Sequence, residues 1–227
     1  MDPDVAKFYK DNKNLIVTSQ YKALWENWMR FLDQAPIWAE EIEGQDPLTV
    51  LYNVGVSTEE FLSNFDVIYS YMFTWPTIQK VVIPPNVKSI DSGAFDENES
   101  INQIILPPTI KLQSNCCSKA NVLEEITIPG KAELMDGGYQ FSFCDELKKV
   151  VIEEGIESIP PGCFMDCENL EEIYIPKSVG HIDETSFCGI GDKLKKLVIP
   201  KQFEPDVTDE NLIDHLWRDF DSIVTFI

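Results

Sequence analysis

The sequence predicts an α+β protein, a solenoid of stacked parallel β-strands with an N-terminal helical cap. The main observation is a unit that recurs six times between residues 78 and 200, in copies that start at Ile78, Ile101, Leu123, Leu147, Leu170 and Leu194. These starts lie 22 to 24 residues apart. Self-similarity at such a period is typical of a repeat array in which each copy buries its apolar face only against its neighbours. The second observation is a pair of amphipathic helical patterns before the array, which suit a cap.

Each copy begins with a strand pattern. Aliphatic residues stand at its start and three and five places later, usually followed by Pro, and further on an Ile precedes a small residue beside Phe. The fourth copy has Leu147, Val150, Ile152, Ile159 and Phe164 at these places. Because successive side chains of a strand point to opposite faces, the residues two and four places after each start should face outward.

The repeat resembles the leucine-rich repeats of the BspA type. The residues that carry the resemblance are Leu170, Ile173, Ile175 and Pro176, together with the preceding Cys163, Phe164 and Cys167. It covers a little over half of the chain. The resemblance implies a curved solenoid of parallel strands that serves adhesion or protein recognition, as in surface proteins of gut and oral microbes and of some parasites.

Two copies depart from this pattern. Copy two has Cys116 and Cys117 in place of the small residue and Phe, and copy three has a loop lengthened by Gly137, Gly138 and Tyr139. We expect local irregularity in these two copies.

Residues 1–77 are predicted to form the N-terminal helical capping domain. Asp2 and Pro3 suit the start of a short helix that runs to about Lys13. A stripe at helical spacing predicts a second helix from about Ser19 to Asp33, formed by Tyr21, Leu24, Trp25, Trp28, Met29 and Leu32. A short helical piece is expected at residues 37–43, whereas periodicity leaves residues 46–52 open between a strand and a helix.

A further helix is predicted from Ser57 to about Thr74. Ser57 and Glu60 have the spacing of a capping box, and the apolar residues that follow at helical spacing are Phe61, Phe65, Ile68, Tyr69 and Met72. Since the end of a solenoid exposes apolar side chains and strand edges, we interpret these helices as a cap on copy one. An aromatic binding groove, built from Trp25, Trp28, Trp38 and Trp75, is the alternative.

Residues 78–200 are the repeats, and residues 201–227 are predicted to form a C-terminal cap. Thr208 or Asp209 can cap a short helix that reaches Trp217, and residues 222–227 have the composition of a terminal strand. This segment should close the open sheet edge after copy six.

The outward residues of the sheet are the candidate partner-binding site. The column four places after each start is unusually apolar for a surface and comprises Val82, Ile105, Thr127, Val151, Tyr174 and Val198. Contiguous exposed apolar patches usually mark interaction sites. Tyr174 is the one large aromatic of the column, and Lys149 and Glu172, which face outward two places after the starts of copies four and five, complete the site. The alternative explanation is β-propensity, since these residue types suit a strand whatever its function.

Charged pairs alternate in sign along copies three to six. They are Glu124 and Glu125, Lys148 and Lys149, Glu171 and Glu172, and Lys195 and Lys196. Opposite charges on neighbouring strands stabilise a sheet and disfavour a slipped register. We interpret this order as structural.

No catalytic or cofactor site is predicted. The sequence has no glycine loop for phosphate and no Ser, His and Asp set, and its carboxylates are too dispersed to pair as acid and base. A zinc site at Cys163 and Cys167 is disfavoured because neither His181 nor His215 lies at ligand spacing. We expect the six cysteines to be small, mostly buried thiols at positions that other copies fill with Ala or Ser. The predictions are therefore no enzyme, no metal and no cofactor.

The net charge of the chain predicts the chemistry of its partner, and its apolar runs and first residues predict its cellular location. A net charge of −21 disfavours direct nucleic-acid binding and favours a basic protein partner, although acidic surfaces also serve solubility alone. No run of eighteen apolar residues is present, so no membrane span is expected. Met1 to Asp4 do not start a secretory signal, which predicts a cytoplasmic protein, or a secreted or surface form if a signal has been removed.

Two functions remain. The first is a non-catalytic module that binds a protein through the sheet face of the repeats. The second is an acidic intracellular inhibitor, encoded by a phage or mobile element, that imitates nucleic acid toward a basic enzyme such as a host defence nuclease.

Overall fold

The computed structural model describes residues 3–12, 21–34, 45–53, 55–74, 76–208 and 220–227. Four helices precede the array in this part of the chain: α1 (Pro3–Asp11), α2 (Tyr21–Gln34), α3 (Pro47–Asn53) and α4 (Thr58–Leu62). Leu24, Trp25 and Trp28 are buried, as the stripe on α2 predicts. The helices expected at residues 37–43 and from residue 209 to 217 lie outside the described residues.

Residues 46–52, which periodicity left open, are largely helical. Asp46 is buried, and its Oδ1 accepts the backbone N–H of Thr49 at 3.0 Å. This contact satisfies a donor in the first turn of α3. The cap residue, and not the β-branched run that follows it, therefore decides the local structure.

The helix predicted from Ser57 to Thr74 is correct at its start and wrong at its end. Ser57 Oγ accepts the Glu60 N–H at 3.0 Å, but the helix stops at Leu62. Residues 67–68 form strand β1 (Val67–Ile68), and the ring of Phe73 stacks on that of Phe95 with centroids 4.5 Å apart. Pairing with the array overrides the helical spacing, so solenoid geometry begins before Ile78.

The main sheet is parallel and has seven strands in the described residues. They are β2 (Lys80–Val82), β4 (Gln103–Ile105), β6 (Glu125–Ile128), β8 (Lys149–Ile152), β10 (Glu172–Tyr174), β12 (Lys196–Ile199) and β13 (Val224–Phe226). Each copy contributes one strand, and β13 extends the sheet beyond copy six. The strand predicted at residues 222–227 is thus confirmed at Val224–Phe226, paired with β12.

Six short strands lie on the other side of the solenoid coil. They are β1, β3 (Ser89–Ile90), β5 (Lys111–Leu112), β7 (Glu133–Leu134), β9 (Ser158–Ile159) and β11 (His181–Ile182). The first four pair in order, and β9 pairs with β11, so in the described residues pairing is interrupted between β7 and β9. This interruption follows copy three, where the loop at Gly137 to Tyr139 predicts irregularity.

Stacked rings and thiols fill the interior of the coil. Phe164 lies between Phe141 and Phe187, with centroid distances of 5.6 and 5.4 Å. Copy two has Cys117 at the ring position, and Cys117 is fully buried. The stack of rings is therefore interrupted at the copy that departs from the sequence pattern.

Two of the cysteines do more than fill space. Cys144 Sγ donates to the carbonyl of Cys117 at 3.3 Å, and Cys167 Sγ donates to the carbonyl of Phe141 at 3.1 Å. Asn98 makes the equivalent bond to the carbonyl of an earlier coil with its side-chain amide. These thiols satisfy backbone acceptors between coils, in addition to the small buried side chain that the sequence predicts.

The described part of the C-terminal segment starts with a 3₁₀ turn, Lys201–Phe203, and helix α5 (Glu204–Thr208), and ends with helix α6 (Phe220–Ile223) and β13. Phe203 and Val207 are buried against the array. The chain thus turns helical directly after the strand of copy six, earlier than the sequence predicts.

Candidate protein-binding face

The outward face of the main sheet is built by the alternation that the repeat predicts. In β8, Val150 and Ile152 are buried, whereas Lys149 and Val151 lie half-buried on the other side. The inward residues pack against the interior of the coil and thereby fix the orientation of the outward ones.

Strand register places most of the predicted outward column side by side. Val151 pairs with Thr127 on one side and with Tyr174 on the other, and Tyr174 pairs with Val198. Next to Val198 lies Thr225 of β13. Sequence reasoning missed Thr225, although the terminal strand pattern of residues 222–227 could have placed it in the column.

The column is not paired along its whole length. Val82 and Ile105 are partners in β2 and β4, but β4 and β6 pair only at Gln103 and Glu125, so Ile105 and Thr127 are not partners. The predicted continuous stripe is therefore divided in two between β4 and β6, again at copy two.

Tyr174 lies between two cations. Its ring centroid is 5.5 Å from Lys149 Nζ and 4.9 Å from Lys196 Nζ, and its hydroxyl donates to a carboxylate oxygen of Glu172 at 2.9 Å. Lys149 Nζ is also 3.6 Å from Glu172. The Tyr174 hydroxyl, and secondarily the Lys149 ammonium, hold the pKa of the Glu172 carboxyl below its usual range. The ring is thus held in one orientation by an aromatic, cationic and anionic cluster.

Charge alternation produces ion pairs across the sheet. Lys195 Nζ lies 2.9 Å from Glu171 and Lys148 Nζ lies 3.5 Å from Glu124. These contacts agree with a structural role for the charged rows, because each joins one copy to the next.

Five of the six thiols are buried, and Cys188 is exposed. Burial raises the pKa of Cys117, Cys144 and Cys163, which suppresses the nucleophilic thiolate. Among the described residues no group of His, Cys, Asp or Glu side chains could hold a metal ion. No described helix is long and apolar enough to cross a membrane.

Comparison with known proteins identifies the family of the repeats. Residues 136–205 match the family model of the BspA type leucine-rich repeat region, which describes six copies. Residues 136–205 thus form a BspA-type leucine-rich repeat region. No curated protein matches the sequence.

Two solved structures share the fold of this chain. The pneumococcal vaccine antigen PcpA superposes with a TM-score of 0.58 at 18% identity, covering 72% of this chain and 40% of its own. A leucine-rich repeat protein from Eubacterium ventriosum superposes with a TM-score of 0.52 at 18% identity, covering 61% of this chain and 39% of its own. This chain therefore matches well under half the length of either protein.

Proposed function

We propose that this protein binds a protein partner through the outward face of its main sheet. The observation that carries the proposal is the cluster at Tyr174, an aromatic ring held between Lys149 and Lys196 on a sheet face. Aromatic anchors dominate interface energetics, and a ring whose orientation is already fixed loses little entropy on binding. The leucine-rich repeat fold is commonly a scaffold for protein interaction, which supports the proposal at the level of the fold.

The proposed contact surface is the outward column with its two charged neighbours. It comprises Val82, Ile105, Thr127, Val151, Tyr174, Val198, Lys149 and Glu172, and we include Thr225 because it is the strand partner of Val198. Apolar residues in the column would supply burial, while the flanking charges would fix the register of the partner. The chemistry that we propose for this face is recognition, in keeping with the generally non-catalytic role of leucine-rich repeat scaffolds.

Mutation of the face tests the proposal once a partner has been isolated. Tyr174→Ala and Val151→Asp should each weaken partner affinity at least about tenfold, since a central anchor is worth about 2 kcal/mol. Tyr71→Ala is the matched control, because Tyr71 is an aromatic side chain that is 49% exposed on a turn of the coil, away from the sheet face. Equal affinities for all three variants would place the binding surface elsewhere on the chain.

The net charge of −21 favours a second candidate, the inhibitor of a basic nucleic-acid enzyme. Binding of that kind should weaken steeply with salt, because exposed charges act over only about 8 Å at 0.15 M ionic strength. Capture from lysate at low and high salt separates the candidates. A basic nucleic-acid enzyme recovered only at low salt supports inhibition, whereas a partner retained at high salt and lost on Tyr174→Ala supports recognition by the sheet face.

A further inference from the structure

A cleft lies on the outward face beside the place where the pairing of β4 with β6 ends. These strands pair at one position, Gln103 with Glu125, whereas β6 and β8 pair at four. The cleft has a volume of about 360 Å³. That size lies near the lower end of the range of about 300–1,000 Å³ for ligand pockets, which suits one or two inserted side chains.

A missing backbone bond explains why the sheet is open there. Between β2 and β4 the N–H of Ile83 donates to the carbonyl of Ile105 at 3.0 Å. Leu106 is the residue of copy two that corresponds to Ile83, and within the described residues its N–H makes no such bond to Thr127. Pro107 follows Leu106 just as Pro84 follows Ile83, so what distinguishes copy two is the missing bond of Leu106 and not the proline after it.

The floor of the cleft is apolar and its rim is acidic. Ile105 is 40% exposed, more than the other aliphatic members of the outward column, and it lines the cleft with Leu106 and Pro129. Glu125 and Glu153 stand at the rim, and no basic side chain lines the cleft. In the described part of the chain neither carboxylate pairs with a cation, and Glu153 accepts only the backbone N–H of Gly130 at 3.3 Å.

We propose that this cleft is a subsite for an arginine or lysine side chain of the protein partner. The inference rests on the proposed function, since it places one contact within the same sheet face. The aliphatic stem of such a side chain would cover Ile105 and Leu106, while its cationic head would lie between Glu125 and Glu153.

Charge complementarity selects this occupant. An acidic side chain would meet two carboxylates, and a wholly apolar one would leave both unpaired. The rim offers acceptors, and the guanidinium of arginine is a planar set of donors that suits carboxylates. Elsewhere on the face, Glu171 and Glu172 form ion pairs with lysines of this chain. Among the described residues neither Glu125, whose strand partner is Lys149, nor Glu153 forms such an ion pair, and this distinguishes the cleft.

A capped pentapeptide, Thr-Val-Arg-Val-Thr, is the direct probe, and the same peptide with citrulline for arginine is its isosteric neutral control. Titration into the isotopically labelled full chain should shift the amide resonances of Leu106 and Thr127. The citrulline peptide should bind about tenfold more weakly, as expected for the loss of two partly exposed charge contacts. Equal binding of the two peptides, shifts confined to other residues, or no shift at all would overturn the subsite.

The double variant Glu125→Gln and Glu153→Gln should abolish the preference for arginine and leave the fold unchanged, because both side chains are exposed. Glu99→Gln with Glu157→Gln is the matched control, since it removes the same charge from other exposed positions. Its preference for arginine should equal that of the unmodified protein, and a loss of preference there would show that net charge alone attracts the peptide.

The isolated partner separates this inference from the proposed function. Weakening by Tyr174→Ala without any effect of the rim variant would refute the subsite and leave the binding face intact. If Tyr174→Ala and the rim variant each weaken binding, the result supports the binding face and the subsite. If neither variant weakens binding, the result refutes the binding face and the subsite.

Discussion

The ring of Tyr139 occupies the space that a Cβ atom on Gly162 would need. A methyl group placed there would come within 2.4 Å of Tyr139 Cε1, and Gly162 itself has a φ of +58°. The packing of the Tyr139 ring in copy three therefore requires that residue 162 of copy four has no side chain.

Gly162→Ala should lower the free energy of unfolding by about 2 to 4 kcal/mol, the sum of left-handed backbone strain and overpacking. Urea unfolding followed by circular dichroism measures the change. Gly93→Ala is the matched control, because Gly93 has a φ of +71° but its nearest contact, Tyr71 Cε1, is at 3.7 Å. Equal losses for both variants would show that the ring of Tyr139 moves aside without cost.

The buried thiols predict a simple reactivity pattern. At pH 8 an aromatic disulfide reagent should modify Cys188 rapidly in the native protein, because Cys188 is exposed. The other five should react only with unfolding, since burial shields them and raises the pKa of Cys117, Cys144 and Cys163. Rapid native modification of more than one thiol per chain would contradict the buried arrangement.

The same raised pKa values set the sign of an alkaline effect. A thiol that stays protonated in the folded state contributes stability below its unfolded pKa of about 8.5, and this stability is lost as the pH rises toward the folded pKa. Melting temperature should therefore fall above about pH 8.5. Replacing Cys117 and Cys163 with Ala should reduce the steepness of that fall, and an unchanged slope would assign the alkaline transition to other groups.

Reversing one charge in the sheet should be repaired in part by reversing its partner. The Glu171 carboxylate lies 2.9 Å from Lys195 Nζ. Lys195→Glu therefore replaces this ion pair with two carboxylates that repel each other. We expect a loss of about 0.2–1 kcal/mol that the added change Glu171→Lys restores in part, because the new lysine also stands beside Lys148 of copy four. A double-mutant cycle by urea unfolding gives the coupling, and 1 M salt should diminish it. Zero coupling at low salt would mean that the rows do not fix register.

Deletion of residues 1–77 should expose copy one. It removes β1 and Phe73, whose ring stacks on Phe95, as well as α4, which contacts β2. Size-exclusion chromatography should show aggregates. Deletion of residues 1–64 retains β1 and Phe73, so it should aggregate less. A soluble 78–227 fragment with unchanged melting would identify the helices as an independent domain instead of a cap.

Periodic features of the sequence predicted the fold well, because burial repeats once per copy. The inward residues and the parallel strands follow from that repetition, whereas the terminal strand followed from the composition of residues 222–227. Spacing failed where neighbouring structure decides: Phe61, Phe65, Ile68 and Met72 suit a helix, yet Ile68 pairs with Ile90 in a strand. Helical spacing does not reveal that these residues also pair with the first repeat as a β-strand.

The sequence predicted which positions face outward in the candidate site. It did not predict the side-chain contacts around Tyr174 or the cleft at Ile105. Strand alternation placed Tyr174 outward, but its position between Lys149 and Lys196 depends on side chains from three different copies. The cleft at Ile105 depends on a backbone hydrogen bond that Leu106 does not make. The identity of the residues there does not predict that this bond is missing.

In copies three to six the fold repeats with every copy, whereas the sign of the charged rows repeats only with every second copy. Excision of copy four would set Glu125 beside Glu172, whereas excision of copies four and five together would set Glu125 beside Lys196. Removing an even number of adjacent copies from this stretch thus leaves only opposite charges side by side, whereas removing an odd number from its interior brings two like charges together. Parity in this stretch is therefore a constraint on how such a protein could lengthen or shorten by duplication and loss of repeats.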